Sequence, residues 1–127
     1  MSKNILVVDD EESIRQSFVL ALEDTDYKVD TASSGSEAIK KLSQNKQDLI
    51  FLDLKIPEKD GTEILKEIRA LSKTVPVYII TAYHKEFLGK LKCLRDNGLT
   101  FEIIEKPIGI DEINLIVRAI MEGPFIY

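Results

Sequence analysis

Short apolar runs and amphipathic stretches alternate along the whole chain. A first strand is predicted from about Asn4 to Val8, built on Ile5-Leu6-Val7-Val8. Lys28-Val29-Asp30-Thr31-Ala32 alternates polar and apolar positions, the pattern of a strand at a sheet edge. A third strand, about Asp48 to Leu52, is apolar almost throughout and should be buried on both faces. Val77 to Thr81, introduced by Pro76, and Phe101 to Glu105 supply a fourth and a fifth.

The intervening segments carry helical periodicity. Ile14, Phe18, Ala21 and Leu22 share a face of a helix from about Ser13 to Leu22. Ser34-Gly35-Ser36-Glu37 reads as a capping box opening a helix that packs through Ala38, Ile39 and Leu42. Asp60, with Glu63 three residues later, should cap a helix whose inner side is Ile64, Leu65, Ile68 and Leu71. A fourth helix, about Lys85 to Arg95, presents Phe87, Leu88, Leu91 and Leu94 and stops at Asn97-Gly98. The last, about Asp111 to Glu122, buries Ile113, Ile116, Val117 and Ile120 and ends at Gly123-Pro124.

Five strands each followed by a helix predict an α/β fold, a doubly wound parallel sheet covered on both faces. Right-handed crossovers leave few topologies. The polar second strand belongs at an edge and the apolar first and third strands inside, which the order 2-1-3-4-5 satisfies. Ligands of such sheets bind beyond the carboxyl ends of the strands where the order reverses, here between the first and third strands.

Composition narrows the picture only in places. The 127 residues, with no repeat, low-complexity tract or internal linker, are expected to form one domain, 1–127, able to build a core without disulfides. A net charge of -5 argues against direct nucleic-acid binding by this chain. The lone Cys93 has no partner for an internal bridge and reads as a packing or surface residue. No apolar stretch approaches the roughly 20 residues of a membrane span, and Met1-Ser2-Lys3 leads into a strand without a signal-peptide pattern. A cytoplasmic protein without membrane contact is expected.

The chemistry lies where the strands end. Asp9-Asp10 follows the first, Asp53 the third, Thr81 closes the fourth, and Lys106-Pro107 follows the fifth. Taken singly, each has a plain structural reading: acidic residues favour helix starts, and a threonine or lysine can simply end a strand. Gathered in one crevice, the three carboxylates would repel one another unless a cation joined them. Mg²⁺ suits such a site, since it accepts one or two carboxylates together with waters and phosphate oxygens. Lys106 adds a second positive charge able to pair with a carboxylate and a phosphoryl group, and Thr81 a hydroxyl donor with small Ala82 beside it. One aspartate could then accept a phosphoryl group, the cations stabilising charge on the transferring oxygens.

These four motifs, Asp9-Asp10, Asp53-Leu54-Lys55-Ile56-Pro57 with Asp60-Gly61, Thr81-Ala82 and Lys106-Pro107, resemble those of the response regulator receiver domain of two-component signalling, over essentially the whole chain. The resemblance implies a flavodoxin-like, CheY-like (βα)5 fold with Asp53 as phosphoacceptor. It implies that Mg²⁺ is held by Asp10 directly, Asp9 through water, Asp53, and the backbone carbonyl of Lys55. Lys106 would contact the phosphoryl group, Thr81 would move to hydrogen-bond it, and a cis peptide would precede Pro107. A sensor histidine kinase or phosphotransfer protein would be the donor. An output domain or protein partner would read the switch, and a phosphorylation-dependent dimer is compatible with it. The chain would be a signalling domain rather than an enzyme, with at most an intrinsic autophosphatase activity.

The sequence departs from the family pattern in three ways. Ile103 stands three positions before the lysine where an aromatic is usual; either Phe101, on the same strand face, takes that role or the aromatic coupling is absent. The stretch from Thr81 to Lys106 is a few residues longer than usual, so the fourth helix and its loop should be altered. Lys55 and Tyr83, two residues after Asp53 and Thr81, occupy positions that tune the lifetime of the phosphorylated state; Tyr83 is either a shield against water or a solvated loop residue. His84 reads as a surface loop residue. Lys85, Lys90, Lys92, Arg95 and Arg118 are either ordinary solvated helix faces or a surface for an acidic partner. Two other functions compete: a receiver fold used only for protein contacts, and an aspartyl phosphatase of the haloacid-dehalogenase type. The latter needs an aspartate two residues after its nucleophile, where this chain has Lys55. The apolar tail, Gly123-Pro124-Phe125-Ile126-Tyr127, fits a stand-alone receiver or a longer regulator equally.

Overall fold

A computed structural model describes residues 3–82 and 84–123. In chain order the elements are β1 (Asn4–Val8), α1 (Glu12–Leu22), β2 (Lys28–Ala32), α2 (Gly35–Gln44), β3 (Leu49–Leu52), α3 (Gly61–Leu71) and β4 (Val77–Thr81). A 3-10 turn (His84–Phe87) then leads into α4 (Leu88–Asp96), β5 (Glu102–Glu105) and α5 (Ile110–Glu122). All strand pairings are parallel and the order is β2-β1-β3-β4-β5. The alternating strand is thus at the edge and the apolar β1 and β3 are central, as the pattern predicts.

Because successive side chains of a strand face opposite ways, each central strand feeds two cores. Leu6 and Val8 of β1, with Ile50 and Leu52 of β3, face α2, α3 and α4, where they meet Ala38, Ile64, Leu65, Ile68, Leu91 and Leu94. Ile5, Val7, Leu49 and Phe51 face the other way, onto Phe18, Ala21 and Leu22 of α1 and Ile113 and Val117 of α5. Phe18 and Phe51 sit with ring centroids 4.7 Å apart at the centre of that second layer.

Local signals set the helix ends. Ser34 accepts the Glu37 N–H, while the Glu37 carboxylate accepts the N–H of Ser33 rather than of Ser34, so the capping box closes one residue earlier than the sequence motif places it. Asp60 caps α3 by accepting from the N–H groups of Thr62 and Glu63. Gly98, at φ 86°, lets the chain leave α4 in a left-handed conformation.

The fourth helix differs most from expectation. It begins with a 3-10 turn, and Leu88, assigned to the inner face, is 52% exposed. Phe87, Leu91 and Leu94 fill the core, and Leu88 falls roughly a quarter turn past Phe87, on the solvent flank. Strand β5 starts one residue late, with Phe101 buried just before it under the Arg95 guanidinium, 4.6 Å from the ring centroid. One tie was not visible in the sequence: Arg69 of α3 donates to the carbonyls of Ser72, Val75 and Thr100, fastening the start of β4 to the approach to β5.

Candidate functional site

The parallel register brings the strand ends level. Asp53 N–H donates to Val8 C=O at 2.9 Å, Asp9 N–H to Ala32 C=O at 3.0 Å, and Lys106 N–H to Thr81 C=O at 3.1 Å. Asp9, Asp53 and Thr81 are therefore held at the carboxyl edge of the sheet by the ladder itself, and all three are buried. The Lys106–Pro107 peptide is cis, as the resemblance implied.

The Lys106 ammonium lies among three carboxylates, 3.0 Å from Asp9 Oδ2, 3.1 Å from Glu11 Oε1 and 3.4 Å from Asp53 Oδ2. Asp10 is exposed at the rim. Carboxylate oxygens of Asp9, Asp10, Glu11 and Asp53 all lie within 4.8 Å of one another, a hard-oxygen donor set suited to a small divalent cation and consistent with Mg²⁺. Glu11 was missed in the sequence, where its only signal is being the third acid in a row. Arg15 was missed too; it donates to the Asp9 carbonyl at 2.8 Å and fastens α1 to the end of β1.

Burial and crowding together raise the pKa of Asp53, Asp9 and Lys106. Desolvation, then the Asp9 charge beside it, raises the Asp53 carboxyl to about 6, although Lys106 and the Lys55 N–H pull the other way. Asp9 is also raised, chiefly by burial, against the opposing pull of the Glu11 N–H and Lys106. Burial disfavours the charged form of Lys106, but Asp9, Asp53 and Glu11 outweigh it and hold the ammonium above the usual lysine range. The site therefore has a surplus of negative charge that one lysine does not balance.

Behind Asp53 the backbone is packed to its limit. A Cβ on Gly61 would stand 2.6 Å from both the Asp53 carbonyl oxygen and Leu54 Cα, so only glycine lets α3 begin this close to the site. The Lys55 N–H points to Asp53 Oδ1 at 3.4 Å.

Sequence comparison now decides the family. The family model of the response regulator receiver domain matches residues 5–118. The chain belongs to that family. It is 43% identical over 124 residues to the alkaline phosphatase synthesis transcriptional regulatory protein PhoP of Bacillus subtilis, covering 95% of this chain and 49% of that protein. To the regulatory protein AtoC of Escherichia coli it is 32% identical over 118 residues, covering 93% of this chain and 25% of that one. The chain thus spans half or less of these relatives. Among solved structures, a CheY-like response regulator receiver domain protein from Methanospirillum hungatei superposes with a TM-score of 0.83 at 27% identity, covering 97% of each chain.

The receiver family frames the departures seen in the sequence. Ile103 pairs with Ile79 in the ladder, whereas Phe101 lies at the opposite end of β5 from Lys106, beneath Arg95. Phe101 is therefore not placed to stand in for an aromatic beside Thr81. Two cations of the basic surface are engaged within the chain: Lys90 pairs with Asp60 at 2.7 Å, and Arg95 donates to Phe101 C=O at 3.1 Å. Tyr83, the His84 side chain and the tail from Pro124 lie outside the described residues. Among the described residues, no helix is long and apolar enough to cross a membrane.

Proposed function

We propose that residues 1–127 form one receiver that accepts a phosphoryl group on Asp53 from the phosphohistidine of a sensor kinase or phosphotransfer protein. The reading rests above all on one observation: Asp53 is buried beside a second aspartate and within 3.4 Å of the Lys106 ammonium, in the crevice where the sheet order reverses. An Asp53 carboxylate oxygen attacks phosphorus, the N–P bond of the donor breaks, and the electron pair leaves with the imidazole, giving an aspartyl phosphate. A carboxyl raised to about 6 is still mostly ionised at neutral pH, so the nucleophile is present.

Asp9, Asp10 and Asp53, with the Lys55 carbonyl, would hold Mg²⁺, which when bound offsets charge on phosphoryl oxygens. Lys106 neutralises a phosphoryl oxygen from the opposite side, and Thr81 at the end of β4 supplies a hydroxyl for another. Phosphorylation then changes the charge of a site built on the ends of β1, β3, β4 and β5 and shifts the surface that an output domain or partner reads. The proposed setting is the cytoplasm.

Incubation with acetyl phosphate and Mg²⁺ followed by intact mass measurement tests the reading. The expected product is a single alkali-labile phosphoryl adduct that is absent in Asp53→Asn. No adduct would leave the chain a receiver fold used for contacts alone, and one that persists in that variant would put the acceptor at another residue.

A further inference from the structure

Lys106 has three N–H donors, and three carboxylates surround it. The acyl phosphate takes the place of the Asp53 carboxylate, and its more highly charged phosphoryl oxygens compete with Asp9 and Glu11 for the ammonium. The two are unequal. The Asp9 side chain is 3% exposed and would be left as an uncompensated charge in a buried crevice. The Glu11 side chain is 58% exposed, so water solvates its carboxylate as soon as the ammonium leaves.

The backbone around Glu11 shows that its side chain has no other task in the helix. It occupies the N-cap position of α1, yet makes no side-chain capping hydrogen bond. Its own N–H is satisfied by Asp9 Oδ1 at 2.9 Å, and its carbonyl accepts from Ile14 and Arg15. The carboxylate instead reaches a lysine 95 residues away in sequence.

We propose that Glu11 is a positioning residue: it holds the Lys106 ammonium at the rim of the site and is displaced from it by the incoming phosphoryl oxygen. This rests on the phosphoacceptor reading of Asp53 and adds to it a built-in competitor. Glu11 raises the threshold for occupancy of the phosphoryl position, and its solvent exposure keeps that threshold low enough to cross. An ion pair whose carboxylate is open to solvent alters an equilibrium by about two- to fivefold.

The test uses beryllofluoride as phosphoryl mimic, at saturating Mg²⁺, on the whole chain and on Glu11→Gln and Glu12→Gln. Both variants remove one exposed charge at the start of α1, but only Glu11 touches Lys106. Binding is followed by the Lys106 side-chain nitrogen resonance. Glu11→Gln is expected to bind beryllofluoride about two- to fivefold more tightly, with its unliganded Lys106 resonance already displaced, while Glu12→Gln behaves as the parent chain. Equal or weaker binding in Glu11→Gln, or the same gain in Glu12→Gln, overturns the proposal and leaves the phosphoacceptor reading standing. A parent chain that binds no beryllofluoride overturns both.

Discussion

Replacing Asp53 by asparagine should stabilise the metal-free protein at neutral pH. Burial and the Asp9 charge raise the folded-state pKa of Asp53 from 3.8 to about 6. Between those values the folded state binds more protons than the unfolded one, so stability falls as pH rises through that window. Ionising Asp53 inside the fold then costs about 3 kcal/mol at pH 7, since each tenfold change in a protonation equilibrium is worth about 1.4 kcal/mol. Asparagine keeps the shape and removes the charge. It also weakens the hold on Lys106, but through the longest of that lysine's three carboxylate contacts. A net gain of about 1–3 kcal/mol is expected at pH 7, enough to raise Tm by several degrees in a domain of this size. Urea unfolding in the presence of a chelator, run across the range from pH 7 down to pH 4, gives the test. The advantage of the variant should shrink steadily as pH falls through about 6 and be mostly gone near pH 4, where Asp53 is protonated in the folded state and the unfolded carboxyl, with its ordinary value of 3.8, has begun to protonate. A variant that is no more stable at pH 7, or whose advantage does not change with pH, would show that the buried Asp53 charge does not oppose folding.

Other consequences follow from the same geometry. Mg²⁺ should raise the Tm of the parent chain, by about 2.7 kcal/mol of stability at a hundredfold excess over Kd, and Asp10→Ala should lose most of that gain while its metal-free Tm stays near the parent value, since Asp10 is exposed. Gly61→Ala should destabilise by about 1–3 kcal/mol, because the added methyl meets backbone atoms of Asp53 and Leu54 that have no room to retreat, and it should slow acetyl phosphate labelling by displacing Asp53. Phe18→Ala, which empties the centre of the α1–α5 layer against Phe51, should cost about 3–5 kcal/mol by urea melt, while Leu115→Ala, 69% exposed, should stay within about 0.5 kcal/mol of the parent.

The fold was legible in the sequence because each strand announces its place. Lys28 to Ala32 alternates and lies at the edge, Leu49 to Leu52 does not and lies inside, and two strands so placed leave little choice of order. Asp9, Asp53, Thr81 and Lys106 were legible for the same reason: the parallel register carries residues that end apolar runs to one edge. What stayed hidden depends on side chains meeting across long separations. Glu11 reaching Lys106, Lys90 reaching Asp60 and Arg69 gathering three carbonyls leave no periodic trace. Leu88 was misplaced because periodicity assumes one continuous helix, whereas a 3-10 turn precedes α4. The Lys90–Asp60 pair also changes how the basic surface can be tested. Reversing Lys90 would break a contact at the cap of α3 as well as altering the surface charge, so Lys92 is the cleaner probe of an acidic partner.

The function proposed for this chain turns on Asp53 becoming an aspartyl phosphate. Borohydride reduction of the protein after acetyl phosphate treatment with Mg²⁺ converts an acyl phosphate to an alcohol at the modified residue, and peptide mass mapping locates it. Homoserine is expected at position 53 and at no other aspartate. Reduction at Asp9 or Asp10, or an unmodified peptide containing Asp53 from a chain that carried the phosphoryl mass, would contradict it.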